Sequence, residues 1–230
     1  MKSEKYLRLA ALCSVLGAIT TILLIYLPNP VAEDFEAMVL LHQSSLHLAK
    51  LWILFLHPQF NSLAVLGITV LLIKRYPVTI IPGTFFILVW AFSEMAQQAY
   101  MIDAVNQLWR PGYLQAVDEA TRQALYSQLV GAEAIRDSLY FLVIYGFGLG
   151  TLLFGLALRK TDRFGSWIGG AFIFIGILSI SSFARYYLGM DFLTGPVDRV
   201  YDWIYPVLQP AVRIALGVWL WRQAATAAST

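Results

Sequence analysis

A chain of 230 residues in which 59% are hydrophobic and only 13% charged, with a mean hydropathy of +0.66, carries more apolar surface than one soluble core of that size can bury. It belongs to the membrane class. The formal net charge of +2, spread in small basic clusters between apolar runs, excludes a nucleic-acid footprint, and the single cysteine, Cys13, excludes a disulfide framework.

Crossing about 30 Å of hydrocarbon takes about 20 apolar residues in a helix. The basic start MKSEKYLR leads into an apolar run at 7–27 that is too long for a signal-peptide core, and it reads as a first span. Residues 32–50 (AEDFEAMVLLHQSSLHLAK) then predict an amphipathic helix, acidic at its start as the helix dipole favours. Further spans follow at 51–73 and 79–102. After the turn Pro111-Gly112, residues Leu114, Val117, Thr121, Leu125 and Leu129 recur at helical spacing, which predicts a second amphipathic segment within 111–137. Spans at 138–158, 166–188 and 201–221 complete the chain. Backbone groups in lipid must pair within their own segment, so these runs are helices. The expected fold is an all-α integral membrane protein, a six-transmembrane-helix bundle with two short amphipathic outer segments, in one domain over 1–230.

Charge orients this bundle. With the N-terminus inside, the inner segments hold Lys2, Lys5, Arg8, Lys74, Arg75, Arg159, Lys160, Arg163 and Arg222 against only Glu4 and Asp162. The outer segments hold the excess of acidic residues, as the positive-inside bias requires. Both termini are therefore expected in the cytoplasm, and the protein in the cytoplasmic membrane. Trp52, Trp109 and Trp203 fall at the outer boundary and Trp167, Trp219 and Trp221 at the inner one, as interfacial belts would place them, while Trp90 lies deep.

Candidate chemistry is sparse. His42, His47 and His57 cluster near the outer end of the second span, but their spacing does not place two ligands on one helical face. They are weak metal candidates, better read as interfacial or packing side chains, and no cofactor is implied. In the third span Glu94 and Gln98 share a face with Gln97 adjacent. In the sixth, Asp202, Tyr205, Gln209 and Arg213 follow helical spacing. Glu94 and Arg213 are the deepest ionisable residues and have opposite charges. A charge at mid-membrane costs roughly 2.5–3.5 kcal/mol, so the two are expected to be neighbours or to share a cavity. Hydroxyl-rich outer halves (Tyr100, Tyr140, Tyr145, Ser179, Ser182, Tyr186, Tyr187, Tyr201), with Arg136 and Arg185, are expected to line a pocket open to the outside. Gly146, Gly148, Gly150 and Gly155, then Gly165, Gly169, Gly170 and Gly176, lack the strand–turn–helix setting of a phosphate loop, and they predict close packing of the fourth and fifth spans. Pro82, Pro206 and Pro210 are expected to bend their helices.

The stretch GYLQAVDEATRQALYSQLV leading into YFLVIYGFGLGTLLFGLALRKTDRFGSWIGGAFIFIGI resembles a bacterial family of six-helix membrane proteins known only as a domain of unknown function. The likeness covers about half of the chain and lies in apolar pattern. It implies six helices in a bacterial cytoplasmic membrane and brings no site residues with it. The functional expectation is a polar cavity opening outward that binds a small lipophilic or amphipathic molecule or a lipid, in a sensor, carrier or accessory role. Its candidate lining is Glu94, Gln97, Gln98, Arg185, Asp202, Tyr205, Gln209 and Arg213. The alternatives are a non-catalytic subunit of a membrane complex and a membrane-embedded, metal-dependent enzyme. Expected partners are membrane lipids and complex subunits.

Overall fold

The computed structural model describes the backbone of residues 2–228 and side chains from 4 to 226. Every regular element among the described residues is helical: α1 (Lys2–Tyr26), α2 (Phe35–Leu40), α3 (Ser45–Leu72), α4 (Pro77–Tyr100), a π-helical segment (Met101–Trp109), α5 (Arg110–Gln115), α6 (Glu119–Leu158), α7 (Arg163–Tyr187), α8 (Thr194–Trp203) and α9 (Tyr205–Ala228). Five stretches are long and apolar enough to cross a membrane: Glu4–Tyr26, Ser45–Leu72, Pro77–Gln115, Glu119–Leu158 and Arg163–Tyr187. A sixth qualifies only as the pair Asp191–Trp203 and Tyr205–Thr226, bent by 58°. The break falls at Ile204, just before Pro206, whose missing N–H and ring disrupt the preceding helical turn.

The element boundaries correct the sequence reading in three places. The segment 32–50 is not one amphipathic helix, because α3 already starts at Ser45, leaving only α2 and a 3-10 turn ahead of it. The third span runs on past residue 102 through the π-helical segment to Gln115. The second amphipathic segment is not separate from the fourth span either. The two form one 40-residue helix, α6, about 60 Å long.

The long helices form a closed ring in the order α1, α3, α4, α6, α7, α9, with α9 packed on α1 and, more sparsely, on α7. Large apolar side chains such as Leu12, Ile19, Val70, Phe85, Phe92 and Ile177 point outward from this ring. A surface of that kind is unfavourable in water and suits lipid, and the chain is accordingly read as a multi-pass membrane protein. Small residues set the closest approaches. A Cβ at Gly155 would lie 2.7 Å from the backbone nitrogen of Ile173 on α7, and one at Gly146 would lie 2.7 Å from the carbonyl oxygen of Phe86 on α4. The glycines of α6 therefore serve two neighbours rather than α7 alone.

The start of α1, the 73–76 turn, the 159–162 turn and the end of α9 meet at one end of the ring. There Arg8 stacks on Trp221, Lys160 and Arg75 on Tyr76, and Arg222 on Phe164. This is called the basic end below. It is tied by Asp162, which caps α7 through Gly165 N–H (2.7 Å) and accepts from Trp219 Nε1 (3.1 Å) and Gln223 Nε2 (3.2 Å) of α9. The Gly165 N–H, above all, holds the Asp162 carboxyl below the usual aspartate range. Trp219 is thus a buried packing residue, not a belt residue, while Trp167 and Trp221 are exposed.

At the opposite, cap end, α2, α5, the π-helical segment and the first half of α6 enclose a second apolar core of Val39, Leu51, Met101, Ile102, Val105 and Leu129. Arg110, 2% exposed, donates there to His47 Nε2 (3.1 Å) and Asn106 Oδ1 (3.0 Å). Lys50 donates to the carbonyls of Leu27 (2.8 Å) and Pro28 (3.3 Å) and to the Asn29 side chain, closing the C-terminus of α1.

Candidate functional site

A chamber of about 440 Å³ lies inside the ring toward the cap end. Its walls come from every long helix: Leu24 of α1, His57 of α3, Trp90 and Glu94 of α4, Tyr140 and Phe147 of α6, Ser182 and Arg185 of α7, and Gln209 and Arg213 of α9, with Tyr201 of α8 at the rim. Tyr140 and Tyr186, both well exposed, stand where it opens. Below Gln209 and Arg213 a second cavity of about 40 Å³ continues toward the basic end, lined by Ser14, Asn61 and Thr151 among apolar side chains. The fully buried Phe154 lines this cavity, and Ile168 and Leu220 belong with it to the core that fills the ring beyond. The lumen is therefore blind, polar at its mouth and apolar at its floor.

The polar walls are held from behind. Thr20 donates its hydroxyl to the Gly17 carbonyl (3.0 Å) or the Leu16 carbonyl (3.1 Å), and so meets His57 Nδ1 (2.9 Å) as an acceptor. Asn61 Nδ2 donates to His57 Nε2 (3.0 Å) and to the His57 carbonyl (2.8 Å). With the Asn61 amide in this orientation, the imidazole is neutral and carries its proton on Nδ1. Arg213 Nε donates to Gln209 Oε1 (2.5 Å), and Ser14 Oγ donates to the Arg213 carbonyl (2.6 Å). Arg185 is ion-paired to Asp198 of α8 and stacks on Tyr186. This pair pins α8 across the mouth.

The structure brings together Glu94, Arg185, Tyr205, Gln209 and Arg213 from the sequence-derived set. Glu94 and Arg213 share the chamber, as expected of them, but no ion pair within 4.0 Å joins either to another described residue. Gln97 and Gln98 line an adjoining pocket of about 330 Å³ that shares Glu94 and Tyr140 with the chamber, and Gln97 donates to the Arg136 carbonyl (2.7 Å). Asp202 is exposed and lines neither cavity, because the break at Ile204 takes it off the helical face that carries Tyr205, Gln209 and Arg213.

The histidines are not brought together. His42 bonds the Val39 carbonyl (2.8 Å), His47 bonds Arg110, and His57 joins the chamber wall. No group of three or more His, Cys, Asp or Glu among the described residues is placed to hold a metal ion. The sequence reading missed Trp90, Asn61 and Thr20 as supports of the lumen. Asn61, an amide inside an apolar run, carried the signal that could have exposed it. No protein-family model, curated protein or solved structure matches this chain.

Proposed function

We propose that the chain is a six-span protein of the cytoplasmic membrane, with the basic end and both termini in the cytoplasm. We propose further that its lumen binds a small polar or amphipathic molecule entering from the opposite face, in a sensor, carrier or accessory role. The bent pair α8–α9 counts as the sixth span in this reading, and the likeness to the bacterial six-helix family accords with it. One observation carries the binding proposal: a blind chamber of about 440 Å³ with walls from all six long helices, into which buried Glu94 and Gln209 and the Arg213 guanidinium project. A bundle that needed only to pack would fill this space with apolar side chains, since polar groups in a membrane interior are costly.

Two measurements test the proposal. In a Cys13→Ala background, Tyr140→Cys should react with a membrane-impermeant maleimide in intact cells, and Lys74→Cys only after permeabilisation. The reverse pattern overturns the orientation, and no reaction at Tyr140→Cys overturns the open mouth. Native mass spectrometry of the purified protein after exposure to a cell metabolite extract should show a bound small molecule. Ser182→Trp, which fills the chamber, should lose it. Equal retention by both proteins, or none by the wild type, overturns the binding site.

A further inference from the structure

We infer that the ligand is a small zwitterion, held with its anionic end on Arg213 and its ammonium end on Glu94. The inference rests on the binding reading above and adds the chemical class. The ionisable groups of the chamber wall, tyrosines aside, are His57, Glu94, Arg185 and Arg213. His57 is neutral by its hydrogen bonds, and Arg185 is neutralised by Asp198. In the adjoining pocket Arg136 is paired to Glu133 (2.5 Å) and Asp137 (3.6 Å). That leaves one acidic and one basic side chain without an ion-pair partner within 4.0 Å, both facing the same space.

Each side chain is prepared for a ligand group. Gln209 takes the Nε–H of Arg213 and fixes the guanidinium plane. Neither terminal nitrogen donates to a described residue. The free edge of the guanidinium suits a carboxylate or phosphate, which it binds through two parallel hydrogen bonds. Glu94, 8% exposed, has the indole of Trp90 one turn before it on α4 and Tyr140 across the chamber on α6. A carboxylate is a favourable seat for an ammonium group, which meets it through a charge-assisted hydrogen bond. A lone anion would pair Arg213 and be repelled by Glu94, and a lone cation would meet the converse. A ligand with both charges satisfies both walls and brings no net charge into the bundle. A chamber of about 440 Å³ is on the scale of small-molecule sites and suits a small metabolite or a lipid headgroup.

The test uses the full chain in nanodiscs of phosphatidylglycerol alone, with thermal stabilisation as the readout. The panel is glycine betaine, γ-aminobutyrate and phosphoethanolamine against the singly charged butyrate, propyl phosphate and butylammonium. At least one zwitterion should bind about tenfold or more tightly than every singly charged analogue, the worth of one charged hydrogen bond. Glu94→Gln should erase that preference in favour of the anions, and Arg213→Gln in favour of the cation. If no soluble zwitterion acts, discs containing phosphatidylethanolamine supply the headgroup. Stabilisation there that Ser182→Trp abolishes assigns the lipid as the source and supports the same chemistry. Equal binding of butyrate or butylammonium, a zwitterion preference that survives Glu94→Gln, or no zwitterion effect in either disc overturns the inference. The Ser182→Trp comparison by mass spectrometry then reports separately on whether the chamber binds anything. The wild-type panel stands even if a variant fails to fold.

Discussion

Asp162 carries two structural duties through one carboxylate, and removing it gives the most calculable perturbation of this fold. Oδ1 caps α7 at Gly165 N–H, and Oδ2 receives the Trp219 indole and the Gln223 amide from α9. Asp162→Ala removes the cap, worth about 1 kcal/mol. It also leaves the indole N–H of Trp219, a residue only 3% exposed, without its acceptor, at about 1–3 kcal/mol. Gln223 reaches solvent and adds little. The expected loss is therefore about 2–4 kcal/mol in reversible unfolding of the purified protein in mixed micelles. Asp162→Asn keeps a cap acceptor but turns an amide donor toward two donors, so about 1–3 kcal/mol of the loss should remain. In Trp219→Phe the donor is gone, and the further cost of Asp162→Asn should shrink to a few tenths of a kcal/mol. The sign of the pH dependence follows from the depressed carboxyl. The folded state binds the proton less readily than the unfolded chain, so the stabilisation is fully present above the ordinary aspartate value of 3.8 and is lost as pH falls through the lower folded value. The stability gap between wild type and Asp162→Asn should narrow across that acid range. An Asp162→Ala protein within about 0.5 kcal/mol of wild type would refute the claim that this carboxylate ties α7 to α9.

Other perturbations follow from the same geometry. Gly155→Val should cost about 3 kcal/mol or more, because its Cβ meets the Ile173 backbone rather than a movable side-chain tip, and size-exclusion chromatography should show loss of the monodisperse bundle. Gly131→Ala, with open space around it on α6, should instead stabilise by about 0.5–1 kcal/mol in the same unfolding assay. Lys50→Met, which strips the donor from the carbonyls just after α1, should cost about 1.5–3 kcal/mol and raise hydrogen exchange in the connection 27–34. Unchanged exchange there would show that the ammonium does not hold it. Phe154→Ala, at a fully buried position beside the lumen floor, should cost about 3–5 kcal/mol, with earlier thermal aggregation as the readout.

The helices were legible in the sequence because hydropathy depends only on composition over about 20 residues. The gathering of Arg8, Lys74, Arg75, Arg159, Lys160 and Arg222 toward one end was legible for a similar reason: an antiparallel ring returns every second connection to the same side. Where α6 begins was not legible. The polar stretch from Glu119 to Asp137 and the apolar stretch after it continue one helix, and no Pro or Gly pair interrupts them. Hydropathy marks where a chain leaves lipid, not where its hydrogen-bond ladder stops. Asp202 was misplaced for the opposite reason, since helical spacing was carried across a break that Pro206 imposes upstream of itself. Tryptophan position misled at Trp219, which serves the Asp162 network, while Trp90 is buried in the chamber wall, in keeping with its deep place in the sequence.

Glu94 and Arg213 share the chamber without an ion pair between them, an arrangement that insertion cost alone does not give. Insertion cost alone argues that two opposite charges deep in a bundle should neutralise each other, and direct contact is the cheapest way to do so. The structure gives them a shared space instead of a contact. Gln209 claims one edge of the guanidinium, and Glu94 stands on α4 beside Trp90, with the chamber between. Side chains as long as Arg213 and Glu94 have the reach to close much of such a gap if the backbone favours it. Here the apolar groups of Val143, Ile144 and Phe147 and the hydroxyls of Ser179 and Ser182 frame an open volume rather than filling it. An occupant carrying both charges, as proposed above, would recover the desolvation cost that their separation leaves. In the binding reading proposed above, an occupant adds directly to stability, because it binds the folded state alone. Thermal stabilisation is for that reason the natural readout of the proposed binding.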